Sequence, residues 1–287
     1  MTAPAGAAGG AFVDLHMHST ASDGSRAPAE VVRAAKKASL AAIALTDHDS
    51  VAGLDEARAA GLEIGVRVVN GVELSAVEGE TETHLLGLHL SDTTVLERGL
   101  AQLREMRDRR GRRIVERLNE LGVTVAFDDV LAQAGPGVVG RPHVARAMIA
   151  EGWAVDARDA FDRYLGAGRP AFVGKEQLSM RDAIAMIHAA GGLAVLAHPG
   201  SGGTRERIES LRALGLDGIE VKHPSHSASD TTRLRGLCEQ FGLVMSGGSD
   251  WHGAAEGPRT IGMMQVPADW LARQDAHLAV LGRAPAA

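Results

Sequence analysis

VDLHMHSTASDG, residues 13–24, is the stretch of sequence that decides the fold. It begins as a short apolar strand and ends on two histidines, His16 and His18, that stand one residue apart. Because residues i and i+2 of an extended strand face the same side, both imidazoles can converge on one metal ion. Asp23 follows in the same loop and adds a carboxylate. One such pair is a weak signal, since a lone histidine is more often a hydrogen-bonded structural residue.

Residues of the same types recur along the chain, nearly always just after a short apolar run. The full set of nine is His16, His18, Asp23, His48, Glu73, His84, His198, Asp250 and His252. Imidazole and carboxylate bind the divalent metals that hydrolytic enzymes use. A set of this size is hard to explain by chance. The sequence therefore predicts a polynuclear metal site that the fold assembles from distant segments.

Length and composition limit the class of protein. A chain of 287 residues, of which 45% are hydrophobic, can bury one large core or a core with a small insert. The formal net charge of −6 does not favour a dedicated duplex-DNA binder. No apolar run approaches the roughly 18 residues that span a bilayer, and residues 1–10 lack the features of a signal peptide. We therefore expect a cytoplasmic protein with a flexible tail over residues 1–10 and no membrane contact.

Short apolar runs alternate with helical patterns, which is typical of βαβ units around a parallel sheet. Strands are predicted at residues 12–16, 42–46, 66–72, 85–89, 193–198, 218–222, 243–246 and 262–266. Helices are predicted at residues 29–38, 180–190, 206–214, 231–241 and from about 268 onward. The ligand candidates fall at the carboxyl ends of strands, where the active-site loops of an α/β barrel lie.

The strand pattern stops between residues 98 and 169, where apolar residues recur at helical spacing. GRPHVARAMIAEG, residues 140–152, predicts one of the helices there. We expect a helical insert over residues 98–169 in a barrel made of residues 11–97 and 170–287. Its first helix carries the arginines Arg104, Arg107, Arg109, Arg110, Arg112, Arg113 and Arg117. Interleaved acidic residues favour a solvated helix face, and a phosphate-attracting surface is the alternative.

The motifs DLHMHSTASDG, LTDHD, GVELS, THLLGL, VLAHPG and GSDWHG follow one another between residues 14 and 253. In this order they resemble the PHP (polymerase and histidinol phosphatase) family, above all its stand-alone phosphoesterases. The resemblance implies an α/β fold, a distorted (β/α)7 TIM-like barrel with a small helical insert. It also implies a metal-dependent phosphatase that removes the 3′-phosphate of 3′,5′-bisphosphonucleotides. Some members of that branch trim short RNA from its 5′ end.

The resemblance further implies three groups of metal ligands. The first group is His16, His18, Glu73 and Asp250. The second is Glu73, His84 and His198, with Glu73 bridging two ions. The third is Asp23, His48 and His252. We expect two or three divalent ions of Mn, Fe or Zn, with Mn favoured, because histidine and carboxylate without thiolate suit all three metals.

Further residues are candidates for support or for substrate binding. Asp47 and Asp49 flank His48, and either could orient its ring, although Asp49 could equally cap the next helix. The resemblance places Arg141 and His143 where similar phosphoesterases carry an arginine–histidine pair facing the site. Lys175 and His223 follow predicted strands and could also bind phosphate. His223 could protonate the leaving alkoxide beside the catalytic residues Glu73 and Asp250, but a purely structural histidine is an equal alternative.

Other functions remain open at this point. Histidinol-phosphate phosphatase would use much the same metals, and a non-catalytic metal-binding regulatory domain belongs to a different class. The chain is too short to contain a polymerase as well as a PHP module. The expected partners are a small nucleotide and short single-stranded RNA, with no obligate protein partner. Cys238, the single cysteine, excludes an intrachain disulfide and has no catalytic context.

Overall fold

The computed structural model describes residues 12–79, 81–134, 139–174, 178–257 and 259–283. The chain divides into two compact units, one of Met1–Glu97 with Leu178–Ala287 and the other of Arg98–Gln177. The tail expected over residues 1–10 lies outside the described residues, and so does Lys175.

The first unit is built on one mixed sheet, which has eight strands within the described ranges. They are β1 (Phe12–Asp14), β2 (Ala42–Leu45), β3 (Arg67–Glu78), β4 (Thr81–Leu88), β5 (Leu193–Leu196), β6 (Gly218–Lys222), β7 (Val244–Gly247) and β8 (Val266–Pro267). Their order is β7-β6-β5-β4-β3-β2-β1-β8. The backbone N–H groups of Leu15 and Asp250 donate to Gly247 and His16, across the gap between β1 and β7. The sheet is thus nearly closed into a barrel.

The strand directions correct the prediction of an all-parallel sheet. Strand β4 is antiparallel to both β3 and β5, and β8 is antiparallel to β1. Strand β3 continues six residues past its predicted end and β4 begins four residues before its predicted start, and backbone pairs from Gly71–Leu88 to Glu78–Thr81 join them as a hairpin. The strand predicted at residues 262–266 shrinks to β8, since Gly262 and Gln265 have positive φ angles of 73° and 46°.

The α-helices of the described ranges are α1 (Pro28–Lys37), α2 (Leu54–Ile64), α3 (Thr93–Glu120), α4 (Phe127–Ala134), α5 (Arg141–Ala150), α6 (Ala157–Ala160), α7 (Met180–Ala189), α8 (Arg205–Ala213), α9 (Ala228–Phe241) and α10 (Ala268–Val280). Helices α1, α5, α7, α8, α9 and α10 agree with the predicted ones to within about a turn, whereas α2, α4 and α6 were not predicted. The side chains of Ser179, Thr204 and Ser227 cap α7, α8 and α9. Helix α2 lacks such a start signal, because its N-cap is Gly53. No helix in the described ranges is long and apolar enough to cross a membrane.

Each unit has a hydrophobic core of its own. In the first unit, α1 and α2 pack over β2 through residues such as Val31, Val32 and Ile43. In the second unit, Leu118, Val144 and Met148 belong to a cluster of buried residues from α3, α5 and the segment up to Val173. No strand is present between residues 90 and 170 among those described.

Candidate metal centre

All nine predicted ligand residues lie in the first unit, most of them just beyond a strand end. His16 and His18 follow β1, where Met17 forms a parallel bridge with Trp251. The others are Asp23 in the loop before α1, His48 after β2, Glu73 within β3, His84 within β4, His198 after β5, and Asp250 and His252 after β7. The strands thus deliver side chains from distant sequence positions to one end of the sheet.

Glu73 is the centre of this arrangement and is almost fully buried. Its Oε2 atom faces three ring nitrogens, at 3.1 Å from His16 Nε2, 3.2 Å from His18 Nε2 and 3.2 Å from His48 Nδ1. Its Oε1 atom faces two more, at 2.8 Å from His84 Nδ1 and 3.0 Å from His198 Nε2. Burial opposes ionisation of Glu73, but the imidazoles around it hold its pKa well below the usual range. Each oxygen therefore has its own set of neighbours, as a bridging carboxylate requires.

The spacing of the donor atoms fits bound metal ions. Four groups each place one donor atom per residue within 4.8 Å of the others. They are His16–His18–Glu73–Asp250, His18–Asp23–His48–His252, His48–Glu73–His84 and His16–Glu220–His223. Neighbouring ligands of one ion at a bond length of about 2.1 Å lie about 3.0 Å apart in octahedral geometry and about 3.4 Å apart in tetrahedral geometry. The contacts of Glu73 with its imidazoles, 2.8–3.2 Å, are close to the octahedral spacing and are also hydrogen-bond distances.

His18 gives a second test of metal fit. Its ring is buried, and neither of its nitrogens has a hydrogen-bond partner in the described structure. Its Nε2 atom nevertheless lies 3.1 Å from Asp250 Oδ1 and 3.2 Å from Glu73 Oε2. A buried polar atom without a partner costs about 1–3 kcal/mol. A cation held jointly by these three atoms would satisfy the ring and both carboxylates.

The third predicted group is more open than the first two. His252 donates through Nδ1 to the carbonyl of Asp250 at 2.8 Å, which leaves its Nε2 atom 3.3 Å from Asp23 Oδ1. The contact with His252 lowers the pKa of Asp23 to about 2, against the smaller effect of burial. Asp23 is 57% exposed, whereas Glu73 is 1% exposed. Any ion at this position therefore lies at the entrance of the centre.

Comparison with known proteins identifies the architecture. The PHP domain model matches residues 14–169, more than half of the chain. The chain belongs to the PHP family. It is 39% identical over 259 residues to the 3′,5′-nucleoside bisphosphate phosphatase of Chromobacterium violaceum, covering 88% of this chain and 91% of that protein. It is also 37% identical over 245 residues to a 5′-3′ exoribonuclease of Haemophilus influenzae, and the match covers 83% of this chain and 89% of that protein.

A solved structure supports the same assignment. The protein of known structure comes from Bifidobacterium adolescentis and is assigned to the metal-dependent phosphoesterases. It superposes with a TM-score of 0.68 at 32% identity over 92% of this chain and 95% of its own. This chain is therefore a PHP-type metal-dependent phosphoesterase with a mixed α/β barrel, as its motifs implied.

Glu220 is a member of the PHP centre that the sequence analysis missed. It is fully buried, and its Oε1 atom lies 3.0 Å from His16 Nδ1. Its Oε2 atom accepts the backbone N–H of His198 at 2.7 Å. A carboxylate on Nδ1 fixes the tautomer of a ligating histidine and leaves Nε2 free for the metal. A lone acidic residue inside the buried strand GIEVK was the signal that could have found it.

The two aspartates beside His48 both accept hydrogen bonds from the backbone of neighbouring segments. Asp47 accepts hydrogen bonds from the backbone and the hydroxyl of Ser19, both at 2.7 Å, and from Ser22 Oγ at 2.6 Å. Asp49 accepts the backbone N–H of Ser75 at 2.9 Å and does not cap α2, which begins after Gly53. Both carboxylates therefore hold neighbouring backbone in place.

His223 projects into the centre from the end of β6 and is 2% exposed. Its Nδ1 atom lies 2.7 Å from Ser225 Oγ and 3.2 Å from the backbone nitrogen of Ser225, which holds the ring in place. Its Nε2 atom lies 3.4 Å from Asp250 Oδ2. The arrangement directs the Nε2 atom of His223 at the candidate metal-binding residues.

The predicted phosphate-binding pair lies in the second unit. The Arg141 guanidinium lies 5.6 Å and 5.4 Å from the ring centres of Phe161 and Phe172 and donates to the Leu165 carbonyl at 3.3 Å. His143 accepts the backbone N–H of Gly140 through Nδ1 at 2.9 Å, which leaves its Nε2 as a donor. The predicted role of Lys175 stays a prediction.

A cavity of about 630 Å³ opens beside His84 and His198. Its other lining residues include Glu78, Thr83 and Arg207. Arg207 spans the wall of the cavity, with Nε 2.7 Å from Glu78 Oε2 and Nη2 3.1 Å from Thr83 Oγ1. The cavity connects solvent with two of the candidate ligands.

Proposed function

We propose that this PHP phosphoesterase hydrolyses phosphomonoesters of small nucleotides. Its preferred reaction would remove the 3′-phosphate of a 3′,5′-bisphosphonucleotide, giving a nucleoside 5′-monophosphate and phosphate. The convergence of five imidazoles on the two oxygens of Glu73 carries the chemistry. The choice of substrate is supported by the 39% identity to a relative named for that reaction.

The metal roles of the nine residues are part of the proposal. His16, His18 and Asp250 would hold one ion with Glu73, and His84 and His198 would hold a second on its other oxygen. Asp23, His48 and His252 would hold a third ion at the entrance. Mn is the favoured metal, with Fe and Zn as alternatives, because thiolate ligands are absent from the described groups. When bound, such ions provide a nucleophile from water near neutral pH and neutralise phosphoryl charge.

The protein's own groups would position the reacting atoms. Glu73 keeps its negative charge in the buried centre and so would hold two cations. In its imidazolium form, with Nδ1–H donating to Ser225 Oγ, His223 would give the proton on Nε2 to the oxygen of the leaving nucleoside and be left as the neutral ring.

The second phosphate of the substrate would bind to Arg141 and His143, as the resemblance to similar phosphoesterases implies. Burial lowers the pKa of Arg110, and the positive charges of Arg141 and Arg107 lower it further. The Arg110 Nη2 atom is buried without a hydrogen-bond partner among the described residues. A phosphate would relieve the mutual repulsion of Arg110 and Arg141 and offer acceptors to both guanidinium groups.

Relative rates on four substrates test the proposal. We expect kcat/KM for 3′-phosphoadenosine 5′-phosphate to exceed the values for AMP, 3′-AMP and histidinol phosphate under one Mn²⁺ condition. A charge-assisted contact to the remote phosphate that is kept in the transition state should raise kcat/KM by roughly ten- to hundredfold. Arg141→Ala should reduce that advantage and leave hydrolysis of an aryl phosphate nearly unchanged. If histidinol phosphate is the best substrate, the nucleotide assignment is wrong.

A second activity is supported by the exoribonuclease relative at 37% identity. We infer that the same centre also shortens short RNA from its 5′ end, with Arg141 and His143 holding the 5′-phosphate. Short oligoribonucleotides with and without a 5′-phosphate, followed by chromatography, test this activity. We expect stepwise release of nucleoside 5′-monophosphates from the phosphorylated RNA. No release under conditions that hydrolyse the bisphosphate would exclude it.

A further inference from the structure

Arg259 places a positive charge at the metal centre, and no motif pointed to it. Its Nη1 atom forms an ion pair with Oδ2 of Asp250. The other oxygen, Oδ1, lies 3.1 Å from His18 Nε2, 3.5 Å from His16 Nε2 and 3.6 Å from His252 Nδ1. One carboxylate thus presents separate oxygens to the candidate ligand cluster and to the arginine.

The segment that carries Arg259 is anchored on both sides. Asp14 is buried, and its two oxygens accept the backbone N–H groups of Ser249 and Gly262, each at 2.9 Å. Trp251 Nε1 donates to the Ala254 carbonyl at 2.7 Å. These bonds bracket the loop, so the approach of Arg259 to Asp250 follows from the fold.

The guanidinium has capacity for a further ligand. Arginine carries five N–H donors in a planar fork that matches carboxylate and phosphate oxygens. In the described part of the chain, Asp250 is the only acidic partner of Arg259, and the arginine side chain is 49% exposed. Donors therefore remain on the open side of the centre.

We propose that Arg259 binds the phosphoryl group that undergoes hydrolysis. Its guanidinium would bridge Asp250 Oδ2 and a phosphoryl oxygen, next to ions held on Oδ1. An arginine that merely replaced a missing cation would face Oδ1 and Glu73, where the imidazoles converge. Arg259 instead contacts the oxygen turned away from His16 and His18, a position compatible with metal on the other oxygen. The inference rests on the phosphoesterase activity and does not depend on which phosphomonoester is preferred.

Inorganic phosphate binding to the Mn²⁺-loaded enzyme tests the proposal. Calorimetry would compare wild type with Arg259→Ala, Arg259→Lys and the control Arg273→Ala, which removes an exposed ion pair with Asp269. We expect Arg259→Ala to weaken phosphate binding by roughly ten- to hundredfold. Arg259→Lys should lose less affinity, because a lysine keeps the charge but not the fork. The control should match wild type.

Metal content and rescue separate phosphate binding from a structural role. Arg259→Ala should keep the wild-type number of metal equivalents, and added guanidinium should restore part of its turnover. Unchanged phosphate affinity in Arg259→Ala would overturn the proposal, and so would loss of metal from that variant. Inorganic phosphate is a product of every phosphomonoester, so a failed nucleotide preference in the substrate comparison would leave this result standing.

Discussion

Replacing Glu220 with glutamine tests how the buried network prepares the centre for metal. Glu220 accepts from His16 Nδ1 at 3.0 Å and from the backbone N–H of His198 at 2.7 Å, one bond on each oxygen. A glutamine has one acceptor and one donor end, so it can accept only one of these hydrogens. The NH2 group of the glutamine side chain would face either the backbone N–H of His198 or the Nδ1 atom of His16. In the second case the His16 proton moves to Nε2, where the metal should bind.

The size of the effect follows from these contacts. Glu220 is fully buried, so water cannot replace the lost bond. An unsatisfied buried donor costs about 1–3 kcal/mol, and loss of such an outer partner typically weakens metal binding by about 10–100-fold. We therefore expect Mn²⁺ affinity to fall by roughly tenfold or more in Glu220→Gln.

Calorimetric titration of Mn²⁺ into chelator-treated protein measures this effect. The control is Glu209→Gln, the same substitution at an exposed position on α8. Circular dichroism confirms that both variants remain folded. Wild-type Mn²⁺ affinity in Glu220→Gln would refute the role assigned to this carboxylate.

Three further predictions follow from the same site. Glu73→Gln should abolish phosphatase turnover while the far-ultraviolet spectrum stays native, because an amide cannot offset two cations; a near-normal rate would rule out a bridging role. Burial opposes protonation of His16, yet Glu220 and Glu73 raise its pKa well above the ordinary value. Because protons compete with metal, Mn²⁺ affinity should fall between about pH 8 and about pH 6, and a flat profile would contradict this. Burial raises the pKa of Cys238 to about 12, so iodoacetamide should modify it only after unfolding, as mass spectrometry can check; rapid labelling of folded protein would show an exposed thiol.

The grouping of the candidate ligands could be predicted because it depends on strand geometry and residue type. His16 and His18 face one side at the end of β1, and Asp250 and His252 repeat the spacing after β7. Parallel strands such as β1 and β2 deliver their carboxyl ends to the same edge of a sheet. The roles of the individual residues in binding metal stay predictions.

The supporting residues were harder to predict, since long-range contacts position them. Arg259 lies in a glycine-rich loop without a recognisable pattern, and long-range bonds of Asp14 to Ser249 and Gly262 anchor that loop beside Asp250. The strand directions were also mispredicted, because βαβ alternation does not reveal that β4 returns directly along β3. Gly79 allows that return with a φ angle of 65°.

The number of metal ions per chain tests the central claim most directly. Protein purified without chelator, reconstituted with Mn²⁺ and desalted would be analysed by inductively coupled plasma mass spectrometry. A polynuclear centre around Glu73 predicts at least two tightly bound equivalents per chain. One equivalent or fewer in folded protein would contradict it.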